Sequence, residues 1–422
     1  MTVSSTTEAR AALRPYLLVG GLCGLTWSAA LRGWMAELAG ADSAVSWLTF
    51  ALLLLPSLVV GVLLGWAAYH RVSGADSPGW LVLSPVVLAV AIADPEIFSA
   101  LIHTGEGGGS LGVVVTALAA GHVLSRHQWP LARVATALLA AAGLLGVAFM
   151  GSMAGSLTGP RGLWVGLLGC TLVLLLCLAS SLPYPSTRLP EGPTALVGIG
   201  ALCGLAWAAS LRVFMAQVAG VESQVQWGNT FGYILLPGVV AGGLLGWAES
   251  ERRQGRRRSW AALAPLAFTA ILLTHVSQLP SIFEDGVGGG AIGVPVIGMI
   301  GGWAIARRGK RLSRAVAGAL FVAGLVVWAL TATAVGGPTF ALDTAHGLWL
   351  TCLYYTLLVT LAVAASVPHQ PPYPVQLQEH TGGNSLPAGT RLGTHGPRVK
   401  LDAARQTGFA ERLTHKRRRV AS

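Results

Sequence analysis

The chain has 422 residues, of which 53% are hydrophobic and only 11% are charged. Soluble domains carry about 25% charged residues, so this composition excludes an ordinary soluble protein and favours an integral membrane protein. Lys and Arg number 28 against 17 Asp and Glu. Because the basic residues lie in short segments between apolar runs, they indicate membrane topology, and no nucleic-acid partner is expected.

Apolar windows occur along most of the chain, and a spanning helix needs about 20 mainly apolar residues. The first half predicts helices near 16–38, 45–68, 80–100, 109–125, 133–153 and 161–181. The second half predicts helices near 195–217, 226–248, 259–279, 288–306, 314–335 and 344–366. The expected fold class is therefore an all-α polytopic membrane protein with about twelve transmembrane helices.

An internal duplication relates the two halves. Residues 22–47 and 202–227 are identical at about 15 of 26 positions, far more than a shared apolar bias would give. GEGGGSLGV (105–113) likewise matches GVGGGAIGV (286–294). Because each copy holds an even number of helices, both insert in the same direction, which predicts parallel repeats. The predicted organisation is a segment 1–15, repeats 16–185 and 196–366 joined by a linker 186–195, and a tail 367–422.

The distribution of Lys and Arg predicts that both termini are cytoplasmic. Arg far outnumbers Lys, and Ala, Gly, Val and Leu are common, which favours a bacterial protein and hence a plasma-membrane location. With the N-terminus inside, the inner segments hold the runs ERRQGRRR (251–258) and ARRGKRLSR (306–314), whereas the outer loops hold only Arg161. The tail is rich in Pro, Gly and polar residues and is expected to be disordered. Its basic end is either a solvated topology signal or a site for anionic inner-leaflet lipid.

Paired glycines at a spacing of four recur at matching positions of the two copies and predict close helix packing. They are Gly20, Gly24, Gly61 and Gly65 in the first copy and Gly200, Gly204, Gly242 and Gly246 in the second. A sliding or hinging contact is the functional alternative to plain packing. We interpret these glycines as the seams of each six-helix unit.

Prolines also recur in equivalent places, inside predicted helices. Pro56 matches Pro237, and Pro85 matches Pro265. Proline removes a backbone hydrogen bond and kinks a helix. Interrupted helices at matching positions point to a binding site in transporters, although packing kinks would give the same pattern.

Arg32 and Arg212 occupy the same position in the two copies, about four residues inside the outer end of their helices, where a charge is costly. One interpretation is snorkelling to headgroups or an ion pair with an outer carboxylate. The other is an anion-binding pair facing a central cavity, because the guanidinium fork binds two oxygens of a carboxylate or phosphate. Trp27 and Trp207 would then form the apolar walls of a substrate site.

Acidic residues near the outer ends of the third and ninth helices form a further group: Asp94, Glu106, Glu284 and Asp285. They are candidates for a catalytic role at the outer face. No Walker loop, HExxH or CxxC pattern occurs, and GGSLG (108–112) fits GxSxG in its letters alone, since a nucleophile elbow follows a strand and this segment begins a predicted helix. We therefore expect no cofactor and no metal, and we assign no catalytic residue.

In length, helix count, inside termini and six-plus-six organisation, the chain resembles the major facilitator superfamily of transporters. The segment GWAESERRQGRRR (246–258) resembles that superfamily's basic loop motif. The motif usually follows the second helix, where this chain instead has GWAAYHRVSGAD (65–76). The resemblance covers architecture and no specific residues, so no functional residue is carried over from it.

Three functions are compatible with these patterns. The leading hypothesis is a secondary transporter or exporter of a small anionic or amphipathic solute, with a path between the halves. The second is a membrane enzyme or assembly factor that acts on lipid-linked envelope substrates through the outer acids. The third is a scaffold or regulator that recruits a partner through its cytoplasmic tail.

Overall fold

A computed structural model describes residues 3–40, 43–103, 108–125, 130–184, 192–269, 290–306 and 309–371. All regular secondary structure in these ranges is helical. Residues 186–191 of the predicted linker and 372–422 of the predicted tail lie outside them.

The first half of the chain contains helices α1 to α7 in order: α1 (Val3–Ala39), α2 (Trp47–Ser73), α3 (Gly79–Ala93), α4 (Pro95–His103), α5 (Gly108–Leu124), α6 (Pro130–Ala154) and α7 (Pro160–Ser180). Helix α1 begins at Val3, so most of the predicted segment 1–15 continues the first helix. The Ala, Arg and Glu residues of TEARAALR (7–14) are strong helix formers.

The second half contains helices α8 to α13: α8 (Pro193–Ala219), α9 (Trp227–Arg253), α10 (Ser259–Thr269), α11 (Gly290–Ile305), α12 (Arg311–Gly336) and α13 (Ala345–Ser366). Helix α8 starts on a proline at its first position, where the missing N–H has no intrahelical partner to lose.

Within the described ranges, seven helices are long and apolar enough to cross a membrane: α2, α6, α7, α8, α9, α12 and α13 with its extension to His369. Four shorter apolar helices accompany them, namely α3, α5, α10 and α11. This architecture is that of a helical membrane protein. The count of twelve spans stays a prediction.

Helices α3 and α10 are 3₁₀ helices, whereas the sequence predicts α-helices in their place. A 3₁₀ helix rises about 2.0 Å per residue, so the 15 residues of α3 extend about 30 Å. That length matches the hydrocarbon core of a bilayer, about 30 Å. Pro85 and Pro265 lie inside these helices and are buried. Each proline removes a backbone donor that an α-helix would use.

Pro56 and Pro237 lie where α2 and α9 change their winding. The π-helical turns Phe50–Leu54 and Trp227–Leu235 end directly before the regular α-helical segments, in which these prolines are the second residue. Proline lacks the N–H of an α-helical bond, and π-helical turns frequently mark functional sites. The winding thus changes at the matching place in both copies.

The paired glycines bring α1 against α2 and α8 against α9 at backbone contact. A Cβ added to Gly20 would lie 2.9 Å from the Cα of Gly65, and one added to Gly204 would lie 3.0 Å from the Cα of Gly242. Both would come still closer to a carbonyl oxygen of the facing helix. Only glycine allows helices to approach so closely, which explains the repeated spacing.

Exposed tryptophans lie near both ends of α2 and α9. Trp47 and Trp80 are 57% and 54% exposed, and the Trp80 ring contacts Trp66 at 5.8 Å between ring centres. Trp47 and Trp66 are separated by roughly 28 Å along the helix at 1.5 Å per residue. This spacing matches the interfacial aromatic belts of a membrane protein.

Candidate functional site

The two halves meet along α1 and α7 from the first and α8 and α13 from the second. Two fully buried tryptophans, Trp164 of α7 and Trp349 of α13, lie at this interface. The indole N–H of Trp164 donates to the Ala209 carbonyl at 3.3 Å, and that of Trp349 donates to the Ala29 carbonyl at 3.0 Å. Each tryptophan therefore bonds to the other half.

The predicted arginine pair also makes contacts across the interface between the halves. The guanidinium carbon of Arg32 lies 5.8 Å from the centre of the Trp349 ring, and that of Arg212 lies 5.2 Å from the centre of the Trp164 ring. A desolvated cation–π contact is worth about 2 kcal/mol. We call this set of four residues the arginine–tryptophan lock.

Each arginine also holds the loop that follows its own helix. Arg32 donates to the Ser43 hydroxyl at 3.0 Å and to the Ala44 carbonyl at 2.7 Å. Arg212 donates to the Ser223 hydroxyl at 3.0 Å and to the Gln224 carbonyl at 2.8 Å. Both side chains are at least 90% buried. These partners satisfy much of the desolvated charge.

A buried carboxylate lies beside the lock. Glu37 is only 7% exposed and pairs with Arg161 at 3.3 Å. Gln217 of the other half donates to the same carboxylate at 3.5 Å. Glu37 is therefore a buried and paired carboxylate. The end of α1 packs against the start of α7, which removes this carboxylate from water.

A cavity of about 400 Å³ lies between the halves, on the side of the interface away from the arginines. Cys23 and Trp27 of α1 line it from the first half, and Cys203 and Trp207 of α8 line it from the second. Phe268 of α10 forms part of its wall and contacts Trp207 edge to face at 5.4 Å. Helices α7, α9 and α13 also contribute residues to it.

Trp27 and Trp207, predicted as walls of a substrate site, thus line the cavity, whereas Arg32 and Arg212 do not. The two indole N–H groups donate to carbonyls of Leu172 and Leu357, each at 2.8 Å. These bonds leave the apolar ring faces free to form the wall. The assignment of an anion site to the arginines stays a prediction, and their described contacts match a structural role.

The seam of the second copy forms one side of this cavity. Gly200, Gly204, Gly242 and Gly246 all line it. With no side chains on these residues, the helix backbones themselves form the wall there. The cavity continues to Glu249 in the last turns of α9 and to Val367 after α13.

A cluster of charged residues begins at that end of the cavity with Glu249. Glu249 pairs with Arg252 at 2.7 Å and with Arg253 at 2.9 Å. The buried Glu251 pairs with Arg258 at 3.1 Å and with Arg256 at 3.5 Å. We call residues 249–258 the arginine cluster.

The outer acids do not form a described site. Asp94 follows α3, and its backbone N–H bonds to the Ala91 carbonyl at 3.4 Å. Glu106, Glu284 and Asp285 lie outside the described residues. Among the described residues, no three His, Cys, Asp or Glu side chains are grouped to hold a metal ion.

Sequence reasoning missed the tryptophans of the lock and the two cysteines of the cavity. Both pairs carry a signal that could have found them, because GLW recurs at 162–164 and 347–349 and LCGL recurs at 22–25 and 202–205. Repetition of a motif in both copies marks positions where the two halves meet.

Comparison of the chain with protein-family models, with curated protein sequences and with solved structures finds no match.

Proposed function

We propose that this protein is a secondary transporter or exporter of an amphipathic solute, with its path between two six-helix repeats. One observation carries the proposal. A cavity of about 400 Å³ lies between the halves, and the arginine–tryptophan lock joins the halves beyond one end of this cavity. Ligand sites of transporters lie at such repeat interfaces, and cavities of about 300–1,000 Å³ hold small molecules.

The proposed topology has twelve spans, cytoplasmic termini and a bacterial plasma-membrane location. The arginine cluster and the basic run at 306–314 then lie inside, in accord with the positive-inside rule. The length of α3, about 30 Å as a 3₁₀ helix, supports counting it as a span. In this orientation the lock is at the outer side and the cavity extends toward the cytoplasm.

Alternating access then requires the lock to open at the outer side and the cavity to close at its cytoplasmic end. Rocking of one repeat against the other about the interface is the motion that parallel repeats allow. Both copies contribute one arginine and one tryptophan to the lock, so a single rotation separates both contacts. The glycine seams keep each pair α1–α2 and α8–α9 together during that motion.

The access path can be tested with the cavity cysteines as reporters. A membrane-impermeant maleimide is applied to right-side-out and inside-out vesicles. We expect Cys23 and Cys203 to react from the cytoplasmic side, and Trp164→Phe/Trp349→Phe to raise labelling from the outside severalfold, because the lock loses its indole hydrogen bonds. The three other cysteines are first replaced by alanine: Cys170, Cys177 and Cys352.

The matched control is Trp80→Phe, which changes a tryptophan of the first copy that is 54% exposed and lines neither the lock nor the cavity. Retained cytoplasmic labelling shows that each variant is folded. Outside labelling of the lock variant that stays at the control level would refute a path between the halves. A further variant, Arg32→Gln/Arg212→Gln, tests the same opening without changing an aromatic side chain.

A further inference from the structure

We propose that the cavity binds a single-chain anionic amphipath, with its hydrocarbon chain between the halves and its carboxylate or phosphate at the arginine cluster. This inference rests on the proposed function and names the substrate class of the same cavity. Four features carry it: the chemistry of the walls, the volume, the charge at one end and the position of that end at the membrane interface.

Apart from Glu249 at one end, the walls offer almost no polar groups to a ligand. The hydroxyl groups of Thr26, Ser210 and Thr360 donate to carbonyls of their own helices at 2.8, 2.7 and 2.8 Å. The indole donors of Trp27 and Trp207 are likewise used by backbone carbonyls. Such walls favour an apolar occupant, because polar groups buried there would lack partners.

The volume suits one hydrocarbon chain. A dry cavity of about 150 Å³ holds benzene, which has six carbons. By the same ratio, about 400 Å³ holds on the order of fifteen carbons. A single acyl chain fits this volume, whereas the two chains of a phospholipid exceed it.

A positive charge surplus occurs beside the cavity in the second copy alone. Residues 249–258 contain five arginines and two glutamates, a surplus of three positive charges. The equivalent residues 68–77 contain one arginine and one aspartate, which balance. Glu249 lines the cavity and holds Arg252 and Arg253 beside it. An anionic headgroup is the complementary charge.

The arginine cluster also lies at the level of an interfacial aromatic pair. The Arg258 guanidinium lies 5.6 Å from the centre of the Trp247 ring, and that ring contacts Trp260 at 5.5 Å between centres. Trp260 is 54% exposed, as an interfacial belt residue would be. A headgroup bound there stays in the polar interface while its chain enters the apolar cavity.

The test measures how amphipaths protect Cys23 and Cys203 from a maleimide, with the protein in nanodiscs of neutral lipid and the other cysteines replaced as above. The anionic probes are myristate and a lysophosphatidylglycerol, which separate a carboxylate from a phosphate. The matched probes are a trimethylammonium amphipath, a maltoside of the same chain length and the two-chain phosphatidylglycerol. We expect the two anionic single-chain probes to protect the cysteines at concentrations at least tenfold lower than the matched probes require.

The variant Arg253→Gln should weaken protection by the anionic probes about fivefold, the effect of about 1 kcal/mol per basic residue at a membrane surface. Arg71→Gln, which removes one charge from the equivalent segment of the first copy, should change protection little. Both variants keep the cavity walls intact, so labelling without a probe checks their folding.

Each outcome has one meaning. Equal protection by cationic, neutral and anionic chains would overturn the anionic class while leaving a transport path for amphipaths. If no probe protects the cysteines but the lock variant is labelled from the outside, the proposed substrate class of amphipaths is wrong, while a transport path between the halves is still supported. Protection by anionic probes without any outside access would support the binding site and count against transport.

Discussion

The glycine seam of the second copy allows a sharp prediction about stability. Gly242→Ala places a methyl group 2.8 Å from the Cα and 2.9 Å from the backbone N of Gly204. All of these contacts are to backbone of the facing helix, so no side chain can rotate away. Helices α8 and α9 must therefore separate along their most closely packed segment.

The expected cost follows from overpacking, which destabilises a core by about 1–3 kcal/mol. A gain in helix propensity of about 1 kcal/mol from glycine to alanine offsets part of it. The matched control is Gly198→Ala in α8, where an added Cβ meets nothing within 4 Å. The control keeps the propensity gain and lacks the clash.

Thermal unfolding in a mild detergent, followed by size-exclusion chromatography, compares the two variants with the parent chain. We expect Gly242→Ala to lower the apparent Tm by a few degrees and Gly198→Ala to leave it unchanged or raise it. Gly61→Ala should behave as Gly242→Ala does, because its added Cβ would lie 2.9 Å from the Cα of Gly24. Equal stability of Gly242→Ala and its control would refute the close-packed seam.

Two further predictions concern the interface between the halves. A double-mutant cycle of Arg32→Gln and Trp349→Phe can be measured by thermal unfolding, and it should give a coupling free energy of about 0.5–2 kcal/mol. Additive effects of the two substitutions would exclude the cation–π contact. Arg161→Gln should destabilise the protein by about 1–2 kcal/mol, because it leaves the buried carboxylate of Glu37 without its cation. Glu37→Gln should cost less, because the Arg161 side chain that it leaves unpaired is half exposed to solvent. The reverse order in chemical denaturation would contradict the burial of Glu37.

The sequence by itself determined most of the local architecture. Composition and apolar windows indicated a helical membrane protein, because a bilayer demands long apolar helices. Alignment of the copies predicted the equivalence of Gly20 with Gly200 and of Pro56 with Pro237. Glycine spacing also predicted the seams, since residues four apart lie on one helix face whatever the rest of the fold does.

Only the tertiary structure decided how the two halves face each other. Trp349 bonds to Ala29, 320 residues away, and no periodicity in the sequence encodes that partner. The same holds for the cavity, whose described walls come from six helices in both halves, and for Arg32, whose partners lie on its own loop and on α13. Helical periodicity is a property of one segment, whereas these sites depend on the packing between segments, which side-chain shape and backbone winding decide together.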